Sequence, residues 1–350
     1  MENPENINLN EISDEELLSL RFCDLPVAIE GTWLKECMEA LYSELAYKNI
    51  NFRPSCYLAD EWLCPDGEPI IGIAFFLAHP RLKKLENKMM LEAEGGDKKS
   101  CIRLLRHETG HAINYAYFFH RRKKWKKLFG PFSKEYNDIY KYRPYSKNFV
   151  RHLEEWYAQY HPDEDFAETF AVWLDPGSNW RQKYKGWGAL KKLEYVDELM
   201  EETKNKLPKK AKGDKYWDVR RMKMTLGTYY KRKCKLYADT YKDFHDFHLC
   251  NIFREQPECE QGIKAYKFII SHRKDILHYV ALWTGEKKYI INRLLKDMIE
   301  RSRELKLRIN EKDQDVLFKI GVYVTSQIMN YIYTGRYKSR DEKIKHTSFV

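Results

Sequence analysis

The sequence has no Cys-x-x-Cys pair, although it holds eight cysteines, at 23, 37, 56, 64, 101, 234, 250 and 259. That excludes the paired-cysteine zinc modules and points to reduced thiols in a cytoplasmic protein. No uninterrupted apolar run reaches membrane-spanning length. The first residues, Met1-Glu2-Asn3-Pro4-Glu5-Asn6, lack the basic and apolar regions of a secretory signal. No internal repeat is visible.

What is present is the composition of a folded chain. Hydrophobic residues make up 43% and aromatic residues 15% of 350, with 25 tyrosines and 9 tryptophans to line cores and clefts. The formal net charge is +10, part of it gathered at His120-Arg121-Arg122-Lys123-Lys124-Trp125-Lys126-Lys127. Such a run reads as an anion-binding patch or as a solvated helix end. No nucleic-acid motif accompanies it, which favours the helix end.

One stretch carries chemistry. Leu104-Leu105-Arg106-His107-Glu108-Thr109-Gly110-His111-Ala112-Ile113 places His-Glu-x-x-His inside a run with helical period. Residues four apart share a helix face, so His107 and His111 direct their imidazoles at one point. Two neutral imidazoles suit one Zn²⁺ per chain, and Glu108 is placed to take a proton from water on the metal. Ile102, Leu105, Thr109, Ala112, Ile113 and Ala116 form a small and apolar stripe beside them, as a buried active-site helix needs.

A catalytic zinc takes three protein ligands and keeps one position open. No His-x-x-Gly-x-x-His continuation follows His111, which argues against the metzincin arrangement. The acidic candidate is Glu168, in His161-Pro162-Asp163-Glu164-Asp165-Phe166-Ala167-Glu168-Thr169-Phe170-Ala171. Its apolar neighbours make a lone charge costly there, whereas a metal ligand is compensated. Asp165, three residues earlier, is a candidate to orient a ligating histidine. Tyr157, Tyr160 and His161 precede this helix closely enough to reach over a cleft. Tyr160 is the expected donor to a developing oxyanion, because a phenol donates without a charge change near neutral pH. His245, His248, Cys250 and Cys259 have metal-binding side chains, but their spacing fits no zinc module, so core or surface roles are expected.

Several stretches resemble a largely uncharacterised bacterial family of zinc-binding metallopeptidases. They are Leu77-Ala78-His79-Pro80-Arg81-Leu82, Leu105-Arg106-His107-Glu108-Thr109-Gly110-His111-Ala112, and Tyr157-Ala158-Gln159-Tyr160-His161-Pro162 leading into the Glu168 segment. The Phe166–Phe170 run is similar to the glutamate-supplying segment of anthrax lethal-factor-type domains, and the pairing as a whole to gluzincins. The resemblance runs from about Leu20 to at least Leu193. It implies a zincin fold with His107, His111 and Glu168 as ligands and Glu108 as base. Many relatives carry an N-terminal zinc ribbon, and without Cys-x-x-Cys pairs this chain is expected to lack it.

The architecture expected is α+β and mainly helical: a small N-terminal sheet packed on the His-Glu helix, then a helical C-terminal bundle. Residues 1–20 read as a polar tail and short helix, 21–203 as the zincin-like domain, 204–216 as a lysine-rich linker and 217–350 as a helical domain. A helix is expected over 32–47, extended chain over Ile50–Ala59, and a buried strand over Ile70–Ala78. That strand exits at His79 and Arg81, where it is either internal or able to pair with an extended substrate. The metal helix should run from about Lys98 to Phe119. A loop follows over 131–148, then helices from near Phe149, from Pro162 and over 179–205. The functional expectation is a cytoplasmic zinc metallopeptidase acting on peptides or proteins, with no membrane span. The rivals are a non-catalytic zinc-binding or partner-binding module and a basic nucleic-acid-associated protein.

Overall fold

A computed structural model describes residues 7–136, 143, 146–153, 157–236, 245–253, 262–309 and 313–334. The chain is mainly helical with a small sheet. Helix α1 (Asp14–Ser19) starts where Ser13 and Glu16 cap one another's backbone N–H groups. Helix α2 (Trp33–Tyr47) is capped by Thr32 and buries Leu34, Cys37, Met38, Leu41 and Leu45.

Strands β1 (Ser55–Ala59) and β2 (Ile70–Ala74) pair in parallel, Ser55 opposite Ile70 and Ala59 opposite Ala74. Leu63, in the connection between them, turns back to bridge Gly72 in antiparallel fashion. A Cβ on Gly72 would lie 2.5 Å from Leu63 Cδ2 and 2.8 Å from Ala59 Cβ, so only glycine fits between them. Both sides of β2 are therefore taken at this point, and the strand is internal there.

The strand read as Ile70–Ala78 stops at Ala74, and Phe75–Ala78 forms a 3₁₀ turn. His79 then caps helix α3 (Pro80–Met90) by accepting from the Arg81 N–H, with Pro80 in the first turn. The Arg81 guanidinium pairs with Asp14. His79 and Arg81 thus cap and tether α3 instead of meeting an extended peptide.

Helix α4 (Lys98–Tyr117) begins at Asp97, whose side chain accepts from the Lys99 and Ser100 N–H groups. It ends at Phe118, in the left-handed region with φ 55°, just short of the expected Phe119. Helix α2 packs along it, and Arg106 forks onto Glu44 at 2.8 and 2.6 Å. Strand β2 also lies against α4. Helices α5 (Lys123–Phe129), α6 (Pro162–Leu174), α7 (Trp180–Lys183) and α8 (Ala189–Thr203) follow. Residues 146–153 form no helix, and the element expected over 179–205 breaks into α7 and α8, with Gly186 at φ 78° between them. In the basic run Trp125 is fully buried, while Arg122 and Lys124 pair with Glu202 and Glu198 of α8. The run is thus an amphipathic segment that opens α5, with part of its charge paired to α8.

The Lys-rich stretch read as a linker is bound into the same unit. The N–H groups of Lys209 and Lys210 both donate to Ala116 O, at 2.9 and 3.0 Å, capping a carbonyl in the last turn of α4. The Tyr57 hydroxyl donates to Tyr216 O at 2.7 Å. Residues 218–226 return to the N-terminal segment, with Phe22 N–H on Met224 O and Leu226 N–H on Leu20 O. Helix α9 (Leu226–Leu236) follows, and the division between two compact units falls at Lys233.

The second unit contains α10 (Asp246–Ile252), α11 (Ala265–Thr284), α12 (Lys288–Glu304) and α13 (Asp313–Thr334). A two-residue antiparallel ribbon joins β3 (Ile263–Lys264) to β4 (Arg308–Ile309). Its core includes Phe268, Ile269, Ile291, Leu294, Leu295, Met298, Ile320 and Val324. No helix among the described residues is long and apolar enough to cross a membrane.

His245 is buried against this core and His248 half-buried beside it, with no metal group among the described residues here; Cys259 lies outside them. His245 Nδ1 is 2.8 Å from the Tyr323 hydroxyl, and the His248 ring packs 4.7 Å from the same tyrosine. Burial pushes the His245 imidazole down to about 4, with His248 adding to the shift. An unfolded chain protonates this histidine at its ordinary value and the folded one resists, so its contribution to stability is present near neutral pH and lost on acidification. Between about pH 6.5 and about pH 5 the loss is expected to be roughly 2 kcal/mol. Denaturant melts at the two pH values should show a loss on acidification that is smaller in His245→Gln than in the wild type by about that amount. Equal differences in both would rule the effect out.

Candidate metal centre

The site exists because α4 and α6 approach unusually closely. Gly110, inside the His-Glu-x-x-His stretch, faces the backbone of α6. A Cβ there would lie 2.6 Å from Ala167 Cα and 2.8 Å from Ala167 O, so any side chain would force the helices apart. All thirteen residues of α6 are buried, including Asp163, Glu164, Asp165 and Glu168. His161 caps the helix by accepting from the Asp163 N–H, and Pro162 fills the first helical position.

Three donor atoms converge between the two helices. His107 Nε2 and His111 Nε2 are 3.2 Å apart, and Glu164 Oε2 is 3.2 Å from each of them. The far nitrogens face carboxylates as well. His107 Nδ1 is 2.8 Å from Glu168 Oε1, and His111 Nδ1 is 2.8 Å from Asp163 Oδ2. Asp163 also accepts from Asn114 Nδ2 at 2.8 Å and from the Tyr115 hydroxyl. The other oxygen of Glu168 accepts from the Leu153 N–H at 2.8 Å.

These partners assign the tautomers: each Nδ1 carries a hydrogen for its carboxylate, and each Nε2 presents a lone pair. With both imidazoles neutral the triangle would be three acceptor atoms facing one another in a buried place, an arrangement that an added positive charge, a proton or a metal ion, relieves. Burial disfavours charging His107, but bonds to Glu164 and Glu168 outweigh it and lift the imidazole to about 10. Burial likewise opposes charging His111, yet the charges of Asp163 and Glu164 hold it well above its ordinary value. Glu164 resists burial through His111 and His107 and lies well below the usual carboxylate range.

The same three atoms form a donor set that suits a metal ion such as zinc. Tetrahedral zinc holds N and O donors at about 2.0–2.1 Å, which separates neighbouring donors by about 3.4 Å. The observed 3.2 Å edges match that spacing. Each imidazole is backed by a carboxylate, as metal-binding histidines commonly are. Among the described residues no other group of three such side chains comes together.

Glu164 therefore stands where Glu168 was expected. Both oxygens of Glu168 are committed, to His107 and to the Leu153 backbone, and it braces an imidazole instead. Asp165 does not orient a histidine. It points the other way and receives the Lys192 ammonium at 2.5 Å, while burial pushes its carboxyl up to about 7 against that partner. Asp163 does what Asp165 was expected to do. Asp163 and Glu164 stand beside Asp165 in a run of three acids, and nothing in the sequence separates the ones that face the imidazoles.

A cavity of about 700 Å³ opens onto the triangle, lined among others by Trp62, Leu63, Cys64, Glu108, Tyr115, Tyr136 and Tyr157. Glu108 is 7% exposed and has no hydrogen-bond partner among the described residues, so its carboxylate is uncommitted. Burial raises its pKa, and His107 and His111 moderate the rise. Tyr157 borders the cavity with its ring 5.6 Å from that of His107. Tyr160 is not among the lining residues; it stacks behind Tyr157 at 5.9 Å. The 3₁₀ turn Tyr157–Gln159 sets this order, a detail that spacing from α6 did not reveal.

Residues 85–182, under a third of the chain, match the family described as "Putative zinc-binding metallo-peptidase". The match contains the whole of α4 and α6, and so every residue of the triangle and its carboxylate backing. No curated protein and no solved structure matches the chain.

Proposed function

We propose that the protein is a zinc-dependent metallopeptidase in which His107, His111 and Glu164 hold one zinc ion per chain. The observation that carries this reading is the triangle of acceptor atoms facing an open cavity beside an uncommitted carboxylate. A zinc ion there would act as a Lewis acid, lowering the pKa of water and polarising a carbonyl. Glu108 serves as general base, receiving a proton at its carboxylate and handing it to the leaving amine. The burial that raises its pKa makes it a better proton acceptor. Tyr157, with its ring on the cavity wall, takes the part of oxyanion donor in place of Tyr160. Glu168 and Asp163 fix the two imidazoles. Peptide or protein chains are the substrates this reading implies.

The first test is metal content. Protein purified without chelators is expected to carry close to one zinc per chain by elemental analysis, and His111→Ala to lose most of it. Equal zinc in the wild type and in the double His107/His111 alanine variant would sink the proposal.

A further inference from the structure

Glu164 is held at both of its oxygens. Oε2 faces the two imidazoles at 3.2 Å, while Oε1, turned away, accepts from the Tyr136 hydroxyl at 3.1 Å. Tyr136 comes from residues 132–136, which form one wall of the cavity. By exposure alone it is a surface residue, 50% accessible. Its contacts are not those of a surface residue. The ring stacks on His161 with centroids 3.9 Å apart and planes 16° from parallel, and it meets Tyr160 edge-on at 5.4 Å. The wall is anchored a second time where His161 Nε2 donates to Lys134 O at 2.7 Å. His161 is the cap of α6, so the wall and the helix bearing Glu164 are fixed to one another through that residue. Phe132 adds a third anchor, stacking on His120 at 4.4 Å.

A carboxylate can grip a cation with one oxygen or with both, and an oxygen occupied by a hydrogen-bond donor is the less available of the two. We propose that Tyr136 is a positioning residue that keeps Glu164 a one-oxygen ligand and so keeps a coordination position open on the cavity side. This rests on the metal-centre reading above. Nothing else in the described site performs the task. Glu168 and Asp163 act on the imidazoles, and Tyr115 acts on Asp163. The selection is geometric: with its hydroxyl in place, Tyr136 lets only Oε2 face the triangle. With the hydroxyl removed, Oε1 is free to turn in beside it and fill the open position.

Cobalt(II) reports this directly, since four-coordinate cobalt absorbs visible light more strongly than five-coordinate cobalt. Apoprotein of the wild type and of Tyr136→Phe would each be titrated with cobalt(II), and zinc affinity measured by competition with a chromophoric chelator. Tyr136→Phe is expected to bind one equivalent, as the wild type does, but with weaker visible bands for each cobalt bound. Its zinc affinity should change by roughly tenfold, the lower end of what outer partners of ligands contribute. The ring and its stacking on His161 remain, so a purely packing role for Tyr136 would leave both readouts unmoved. Superimposable spectra and equal affinities in the two proteins would overturn this inference while leaving the metal centre standing. No cobalt uptake by the wild type would overturn both.

Discussion

Replacing Glu108 by glutamine is expected to leave the fold and the bound zinc intact while hydrolysis of an unstructured protein such as casein falls by at least ~10²-fold, the usual scale for losing a general base. The carboxylate lines the cavity, makes no hydrogen bond among the described residues, and lies outside the donor triangle. Glutamine preserves its size and part of its polarity but takes up no proton. Elemental analysis and a casein assay on the same preparation separate metal loss from catalytic loss. A Glu108→Gln protein as active as the wild type would show that another group handles the proton.

The second large effect separates two glutamates one helical turn apart. Glu164→Ala removes a donor from the triangle and is expected to release most of the zinc on dialysis against a weak chelator. Glu168→Ala should still bind one equivalent, with affinity reduced by about 10–100-fold, because it takes away only the group that orients His107. Competition titrations on both variants decide between them. The opposite ranking, with Glu168→Ala empty and Glu164→Ala full, would return the third ligand to Glu168.

The convergence of the two imidazoles was legible in the sequence. His107, Glu108 and His111 are adjacent in sequence, and helical period alone places the imidazoles together. The second half was harder, for a physical reason. Glu164 and Glu168 are four apart and share one face of α6, so periodicity identifies the face and not the ligand. That choice depends on how far along α4 the second helix sits, which is a tertiary quantity. Burial was equally hidden: His161-Pro162-Asp163-Glu164-Asp165 has the look of a solvated acidic helix start, yet every residue of α6 is buried. The lysine-rich stretch misled in the opposite direction. Its composition is that of a solvated connector, but the bonds from Lys209 and Lys210 to Ala116 are made by backbone, which composition does not report. In the C-terminal half, helical period picks out Ile290, Leu294, Met298 and Leu305; the first three are buried on α12, while Leu305 is its half-buried cap.

The contact between Gly110 and Ala167 has a mechanical consequence. Where two helices touch through side chains, they can slide by letting those side chains change rotamer. Here main chain rests on main chain, which has no rotamers to give, so the crossing behaves as a fulcrum. The motion left to α6 is a tilt about that point. Glu164 lies three residues before Ala167 and Glu168 directly after it, so a tilt about the contact moves Glu164 more than Glu168. A change that twists α6 would therefore register chiefly at Glu164, while Glu168 beside the pivot keeps its place against His107.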